Sequence, residues 1–289
     1  MGERRHLGCI LGSSYELSYI EQWGLIAHRV ETDFGEVTLY ELERSKKDGR
    51  RVFILFRHGV MHTYLPHQIP YRAHMQAMAR VGCQSVLVTS SVGVLDRSVP
   101  LNTLLWVEDI LMPDNRLPDG SACSIFPTPT PGQGHLVLED GLCHGVLSER
   151  MRLCIAQQGV SMHREGVVFA YVGGPRTKTR AENHFWARMG AQVNSMTLAP
   201  EIVLANELEM SCCALVVGHK YSSGARTVPA SGVAREEEGS GGVTLDIHGE
   251  EEVTQSLERS RNTTDHVLHT LLCELEPAPF ANHIYRFKV

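Results

Sequence analysis

Short apolar runs rich in β-branched residues recur along the chain: LGCILG (7–12), EVTLYEL (36–42), RVFILF (51–56), SVLVTSSVGVL (85–95), LLWVEDIL (104–111), GVVFAYVGG (166–174) and CCALVVG (212–218). Runs this short, bounded by glycine and polar residues, read as strands. Between them lie segments with helical spacing. YRAHMQAMARVG (71–82) ends in glycine, and GVLSERMRLCIAQQG (145–159) and TRAENHFWARMG (179–190) are amphipathic. APEIVLANELEM (199–210) and a C-terminal segment at 250–275 complete the set. Strands alternating with helices predict one α/β domain over residues 1–289, with a mixed or mostly parallel sheet covered on both faces. Two stretches interrupt this rhythm. Residues 113–135 are rich in proline, glycine and serine and read as a long excursion. Residues 222–242 combine a flexible composition with a central charge run and read as a mobile loop that shifts when ligand binds.

Composition narrows the class. At 289 residues, 43% hydrophobic and 21% charged, the chain can bury a sizeable core like an ordinary soluble protein. A net charge of −6 supplies no global basic field for nucleic acid or an anionic membrane, so any anion site must be a local arrangement. The apolar stretch within the first 17 residues is too short for a secretory leader, and no run reaches a membrane span. Eight scattered cysteines without a CxxC pair read as reduced, mostly buried thiols of a cytoplasmic protein.

The candidate chemistry sits at strand ends. ILGSSYE (10–16) places a glycine and Ser13 directly after the first strand, where backbone N–H groups and hydroxyls can hold an oxyanion. LFRHG (55–59) sets Arg57 and His58 at the end of another strand, and arginine's planar fork suits phosphate. VTSSVG (88–93) contributes hydroxyls and NSMTLAPE (194–201) adds Thr197 before a helix. Together they describe an anion pocket at the carboxyl edge of a sheet. Residues 57–74 also hold four histidines, His58, His62, His67 and His74. A metal site would need His58 and His62 on one helical face with a carboxylate, but Gly59 and Pro66 oppose helix and no acid is near. The expectation is no metal, with His67 and His74 as surface or structural residues.

The segments ILGSS, FGEV, RHG..H..LP..I.YRA, VLVTSSVG.L and GGPR..TRAE...W..MGAQV..MT.APE..LANE, in this order, resemble the purine nucleoside and methylthioadenosine phosphorylase family, nearest its methylthioadenosine branch. The resemblance spans nearly the whole chain. It implies a central mixed sheet partly closed into a barrel and flanked by helices, a homotrimer, and phosphorolysis of a nucleoside with phosphate as co-substrate and no cofactor. It assigns phosphate to Ser13, Arg57, His58, Ser90 and Thr197, ribose to Met196 with His62, and the base to Ser91, Thr177, Lys178 and Lys220. Catalytic assistance falls to Lys220 and His62.

The base pocket departs from the family. Where the family carries an aromatic residue after its GP motif, this chain has Thr177 and Lys178. Where the family's Asp or Asn meets the purine, counting reaches Lys220 in GHKYSSG, and a second branch aspartate corresponds to Ser222. A lysine cannot accept a hydrogen bond from a 6-amino group, but it stabilises negative charge on a departing base. The expectation is therefore a nucleoside phosphorylase whose base specificity has moved away from ordinary adenine recognition. Solvent exposure of Lys220, or its pairing with Glu201, would instead make the change silent. A non-catalytic relative that binds phosphate, a nucleotide or a sugar phosphate, and a hydrolase-type activity, stay open as alternatives.

Overall fold

A computed structural model describes residues 5–15, 18–43, 49–226 and 264–286. The chain opens with β1 (His6–Leu11), a short α1 (Ser18–Gln22) and the strands β2 (Leu25–Val30), β3 (Val37–Leu42) and β4 (Val52–Phe56). Helix α2 (Tyr71–Arg80) leads into the long β5 (Cys83–Asp96), then β6 (Leu104–Leu111) and β7 (His135–Val137). After α3 (Gly145–Gln157) come β8 (Val167–Tyr171), α4 (Arg180–Arg188), β9 (Val193–Ser195), α5 (Ala199–Glu207) and β10 (Ser211–Arg226). Helix α6 covers 264–274, and β11 (His283–Tyr285) pairs with β7.

Nine strands form one mixed sheet in the order β10-β6-β8-β9-β5-β1-β4-β3-β2, and β10 pairs with β5 as well as with β6. That extra parallel pairing closes β5, β10, β6, β8 and β9 into a five-stranded barrel, from which β1, β4, β3 and β2 extend as an open wing. The central strands are apolar on both faces because both are covered. One core contains Val86, Val88, Val216 and the inward residues of α2 and α5, such as Met75, Met78 and Ile202. The other packs Leu87, Leu215 and Val217 against α3 and α6. Leu147, Met151 and Ile155 repeat at four-residue spacing along α3, which is the stripe that seats it. All eight cysteines are free thiols, six of them buried.

The helices over 71–82, 145–159, 179–190 and 199–210 form within a few residues of their expected bounds. β10 departs from expectation. The expected strand stops at Gly218 and the expected loop begins at Ser222, yet the backbone runs on beside β5, with Lys220 opposite Gly93, Tyr221 opposite Val94 and Arg226 opposite Asp96. The register slips between Gly218 and Lys220, so His219 is the extra residue of a bulge. A bulge bends the strand and re-aims the side chains after it. Most of the expected loop at 222–242 lies outside the described residues. The excursion at 113–135 is anchored: Leu117, Cys123 and Ile125 are buried, and Arg72 donates to the carbonyls of Ala122 (2.9 Å) and Ser124 (2.8 Å).

The histidine-rich stretch follows β4 as turns, a 3-10 turn at Pro66–Gln68, and then α2. The rings of His58 and His62 stack 6.1 Å apart. His74 is buried on α2, and burial pulls its pKa down to about 3, so it is a neutral core residue; His67 is exposed. Among the described residues no three His, Cys, Asp or Glu side chains gather as a metal-binding set. No helix among them is long and apolar enough to cross a membrane.

Candidate active site

The residues that the sequence reading assigns to phosphate lie in or just after β1, β4 and β5 and between β9 and α5. Gly12 N–H donates to Thr89 Oγ1 (3.3 Å), which locks the turn after β1 to β5. The Ser13 hydroxyl is exposed at this turn, and its carbonyl accepts from His62 Nε2 at 2.7 Å. His62 thus shapes the Gly12–Ser14 loop from below, and its own backbone sits at φ +50°. Ser90 Oγ donates to the Ser91 carbonyl (3.1 Å) and lies 3.5 Å from Ser195 Oγ, bringing β5 and β9 hydroxyls together. Thr197 is buried, and its carbonyl accepts from Ala199 N at 3.0 Å across Leu198, whose φ is +78° and ψ −55°. This positive-φ γ-turn is a strained conformation for leucine, held where Thr197 meets the first turn of α5.

Arg57 occupies this cluster in a different role from the one its position at a strand end implies. Its guanidinium is 1% exposed and grips Glu201 of α5 with both ends of the fork, Nε to Oε1 (2.7 Å) and Nη2 to Oε2 (2.6 Å). Nη1 donates to the Thr89 carbonyl at 2.9 Å. The planar fork matches one carboxylate, and here Glu201 takes it. The pair ties β4 to α5; burial works against the charge on Arg57, and Glu201 outweighs it and raises the pKa. Glu201 is consequently not the partner of Lys220. Nη1 lies beside the turn after β1: a Cβ on Gly12 would come within 3.3 Å of it, so glycine leaves room for the arginine there.

His58 sets its ring Nδ1 2.8 Å from the Tyr64 carbonyl, so Nδ1 carries the proton and Nε2 is left as an acceptor. Burial, followed by the Arg57 charge, lowers its pKa against the opposing pull of the Tyr64 carbonyl. The ring is therefore neutral at pH 7 and is a proton acceptor rather than a cation at this site.

Of the residues that the resemblance assigns to the base, Lys220 lies on β10, Ser91 on β5, and Thr177 and Lys178 just before α4. Lys178 is half-buried, and burial and the neighbouring Lys220 together lower its pKa to about 8, while Glu182 opposes them. Lys220 itself is exposed, as the silent alternative has it, so a base role for Lys220 requires that the bound nucleoside cover it. Thr177 is also exposed, and its carbonyl accepts from Arg176. Met196 lies beside the cis Gly174–Pro175 segment, where a Cβ on Gly174 would come within 2.8 Å of its sulfur. Sequence reasoning passed over two amides here. Asn183 and Asn194 are buried; Asn194 Nδ2 donates to Asn183 Oδ1 (3.3 Å) and Asn183 Nδ2 to the Ser223 carbonyl (2.9 Å). Ser222 closes on the same spot, since a Cβ on Gly93 would sit 2.5 Å from Ser222 Oγ and 3.1 Å from Asn194 Oδ1. The ENH and QVN segments carried these amides, but no local pattern signals that α4 and β9 meet.

Beside this cluster opens a cavity of about 230 Å³, bounded by the Gly12–Tyr15 turn, Ser90 and Ser91 of β5, the end of β10 and the first described turn of α6. Ser14 Oγ and Ser91 Oγ lie 3.4 Å apart on one wall. His219 and Asp265 also line it.

A family model described as the phosphorylase superfamily matches residues 6–272. The S-methyl-5'-thioadenosine phosphorylase of Rhodospirillum rubrum is 31% identical over 215 residues, covering 73% of this chain and 68% of that protein. That of Thermofilum pendens is 30% identical over 191 residues, covering 65% and 69%. Among solved structures, methylthioadenosine phosphorylase from Schistosoma mansoni in complex with tubercidin superposes with a TM-score of 0.72 at 18% identity, covering 92% of this chain and 90% of that one. At that identity the likeness speaks for the fold.

Proposed function

The chain belongs to the phosphorylase superfamily, and on that premise we propose that it is a nucleoside phosphorylase whose base pocket favours an electron-rich or anionic base. As a pentosyltransferase it moves the pentosyl group of a nucleoside to phosphate, releasing the base and a pentose 1-phosphate. The observation that supports the specific reading is the Lys178–Lys220 pair, near enough for the Lys220 charge to help lower the Lys178 pKa.

In this reading phosphate sits between Ser13, Ser90 and Thr197 at the first turn of α5, where hydroxyls and backbone N–H groups favour an anion. Arg57 shapes this site and offers it only the donors that Glu201 and Thr89 leave unused. His58 Nε2 accepts a proton from the phosphate, sharpening its attack on the anomeric carbon. Met196 lies against the pentose and His62 fixes the Ser13 turn. Holding phosphate and nucleoside side by side supplies much of the rate through lost translational freedom. As the C–N bond stretches, negative charge accumulates on the leaving base, and Lys220 and Lys178 stabilise it. Ser91 belongs to the wall between pentose and base; Thr177 only borders the pocket. Phosphate is the co-substrate, no metal or organic cofactor takes part, and the enzyme works as a cytoplasmic homotrimer; the trimer rests on the resemblance and the location on the scattered cysteines.

The depressed pKa of Lys178 supplies a test. Below about 8 the ammonium is present, and above it the charge is lost. Binding of an aglycone that keeps its own charge throughout, such as nicotinate, is expected to weaken about tenfold as pH rises from 7 to 9, the scale of one charge-assisted hydrogen bond. Calorimetric titrations at successive pH values read this directly. Lys178→Met should bind weakly and without that pH dependence. A wild-type profile flat across pH 8 would remove Lys178 from the pocket. A non-catalytic binding role has one observation in its favour, the commitment of Arg57 to Glu201, which leaves the anion site with less positive charge.

A further inference from the structure

Lys178 and Lys220 bring two like charges together without an acid to join them. Helix α4 docks on β10 through Asn183 Nδ2, which donates to the Ser223 carbonyl at 2.9 Å, and the Lys220 charge is felt at Lys178. The acid that acts on Lys178 is Glu182, and its carboxylate is already committed. It takes Arg176 Nη1 at 2.8 Å and Nη2 at 2.6 Å, and it accepts from Thr179 N at 2.7 Å in the capping box that starts α4. Among the described residues neither lysine side chain has an ion-pair or hydrogen-bond partner.

Lys178 directly precedes Thr179, the N-cap of α4, and that helix end favours an anion over a cation. Its amine is half-buried. With its pKa at about 8, roughly a hundred times more neutral amine is present near that pH than on an ordinary lysine. A desolvated lysine beside another cation is the arrangement that makes the amine a nucleophile. The surroundings also select the electrophile. Acylation to a neutral amide would relieve the repulsion between the lysines and go no further. Addition of carbon dioxide does more: the amine lone pair forms a C–N bond to the carbon, one nitrogen proton leaves to solvent, and the ammonium becomes a carbamate anion. Lys220 then faces an opposite charge, and the start of α4 an anion.

We propose that Lys178 is a carbon dioxide site, at which a carbamate forms and is held by Lys220. The modification exchanges a hydrogen-bond donor for an acceptor, the kind of group that a 6-amino base needs. That effect on base choice rests on the nucleoside reading given above; the modification itself does not.

The test traps the carbamate in place. Wild type is equilibrated with bicarbonate at about pH 8 and alkylated with triethyloxonium, which converts a carbamate to a stable ester, and mass spectrometry locates the modified peptide. Lys178 is expected to carry the ester at least about tenfold more often than an ordinary exposed lysine, following its larger share of neutral amine. Lys220→Met should lower that occupancy about threefold or more, because it removes the cation that both frees the amine and holds the product. Thermal melts verify that the variant folds. Ester spread evenly over the surface lysines, or equal occupancy at Lys178 with and without Lys220, would overturn the proposal. Calorimetric binding of adenosine reads the consequence: bicarbonate should tighten it about threefold or more in wild type and leave it unchanged in Lys178→Met. A carbamate at Lys178 with no change in adenosine binding would overturn the placement of Lys178 at the base and leave the modification standing.

Discussion

Arg57→Ala is expected to destabilise the protein by about 3–5 kcal/mol, because it strands the Glu201 carboxylate in a wholly buried site. Arg57 is 1% and Glu201 0% exposed, so water cannot replace the lost partner. Glu201→Ala should do comparable damage by leaving the guanidinium without its counter-charge. The Arg57→Met/Glu201→Leu double variant, by contrast, should recover most of the loss, since removing both charges of a buried pair avoids the uncompensated one. Urea denaturation of wild type, Arg57→Met, Glu201→Leu and the double variant gives the coupling directly. Additive losses in the double variant would mean that the two residues act independently. The same series separates structure from binding: phosphate affinity of the double variant reports how much the arginine's remaining donors contribute once stability is restored.

The second large effect concerns the base. Nucleosides with a 6-oxo group are expected to be cleaved at least about tenfold more efficiently than their 6-amino counterparts, including methylthioadenosine, by comparison of kcat/KM. Lys220 donates to an oxo acceptor but leaves an adenine amino group unpaired in a covered site, a penalty of about 1–3 kcal/mol. Lys220 is exposed in the free chain, so its charge costs little until a base lies over it. Lys220→Asp should recover some adenine-nucleoside cleavage, because the carboxylate accepts from the amino group. Lys220→Met should lower 6-oxo cleavage without restoring adenine recognition. Ordinary methylthioadenosine turnover by wild type would mean that Lys220 turns away from the base, and that Asn194 or Ser222 reads the purine instead.

Periodicity made the architecture legible because each buried strand and amphipathic helix carries its own apolar signature. β1, β5, β8 and α2 to α5 were visible in that way. What was not legible depends on partners distant in the chain. Arg57 and Glu201 are 144 positions apart, and nothing local to LFRHG distinguishes an arginine aimed at phosphate from one aimed at a helix. The extension of β10 through polar residues follows from pairing with β5, which a one-dimensional pattern cannot display. β2 was missed because its edge position leaves it exposed and polar, LIAHRV having only one buried residue. The candidate site was read at the level of motifs: the turn after β1, the end of β4 and the lysines were all marked. The amides Asn183 and Asn194 and the carboxylate Asp265 emerged only when separate elements were brought together.

The central claim, phosphorolysis with a lysine-tuned base pocket, is tested most directly by incubating the protein with inosine and adenosine, each with and without phosphate, and following free base and pentose 1-phosphate together. The account predicts release of hypoxanthine in step with ribose 1-phosphate, dependent on phosphate and well ahead of adenine release. Base release that proceeds equally without phosphate, or no release under any condition, would contradict it.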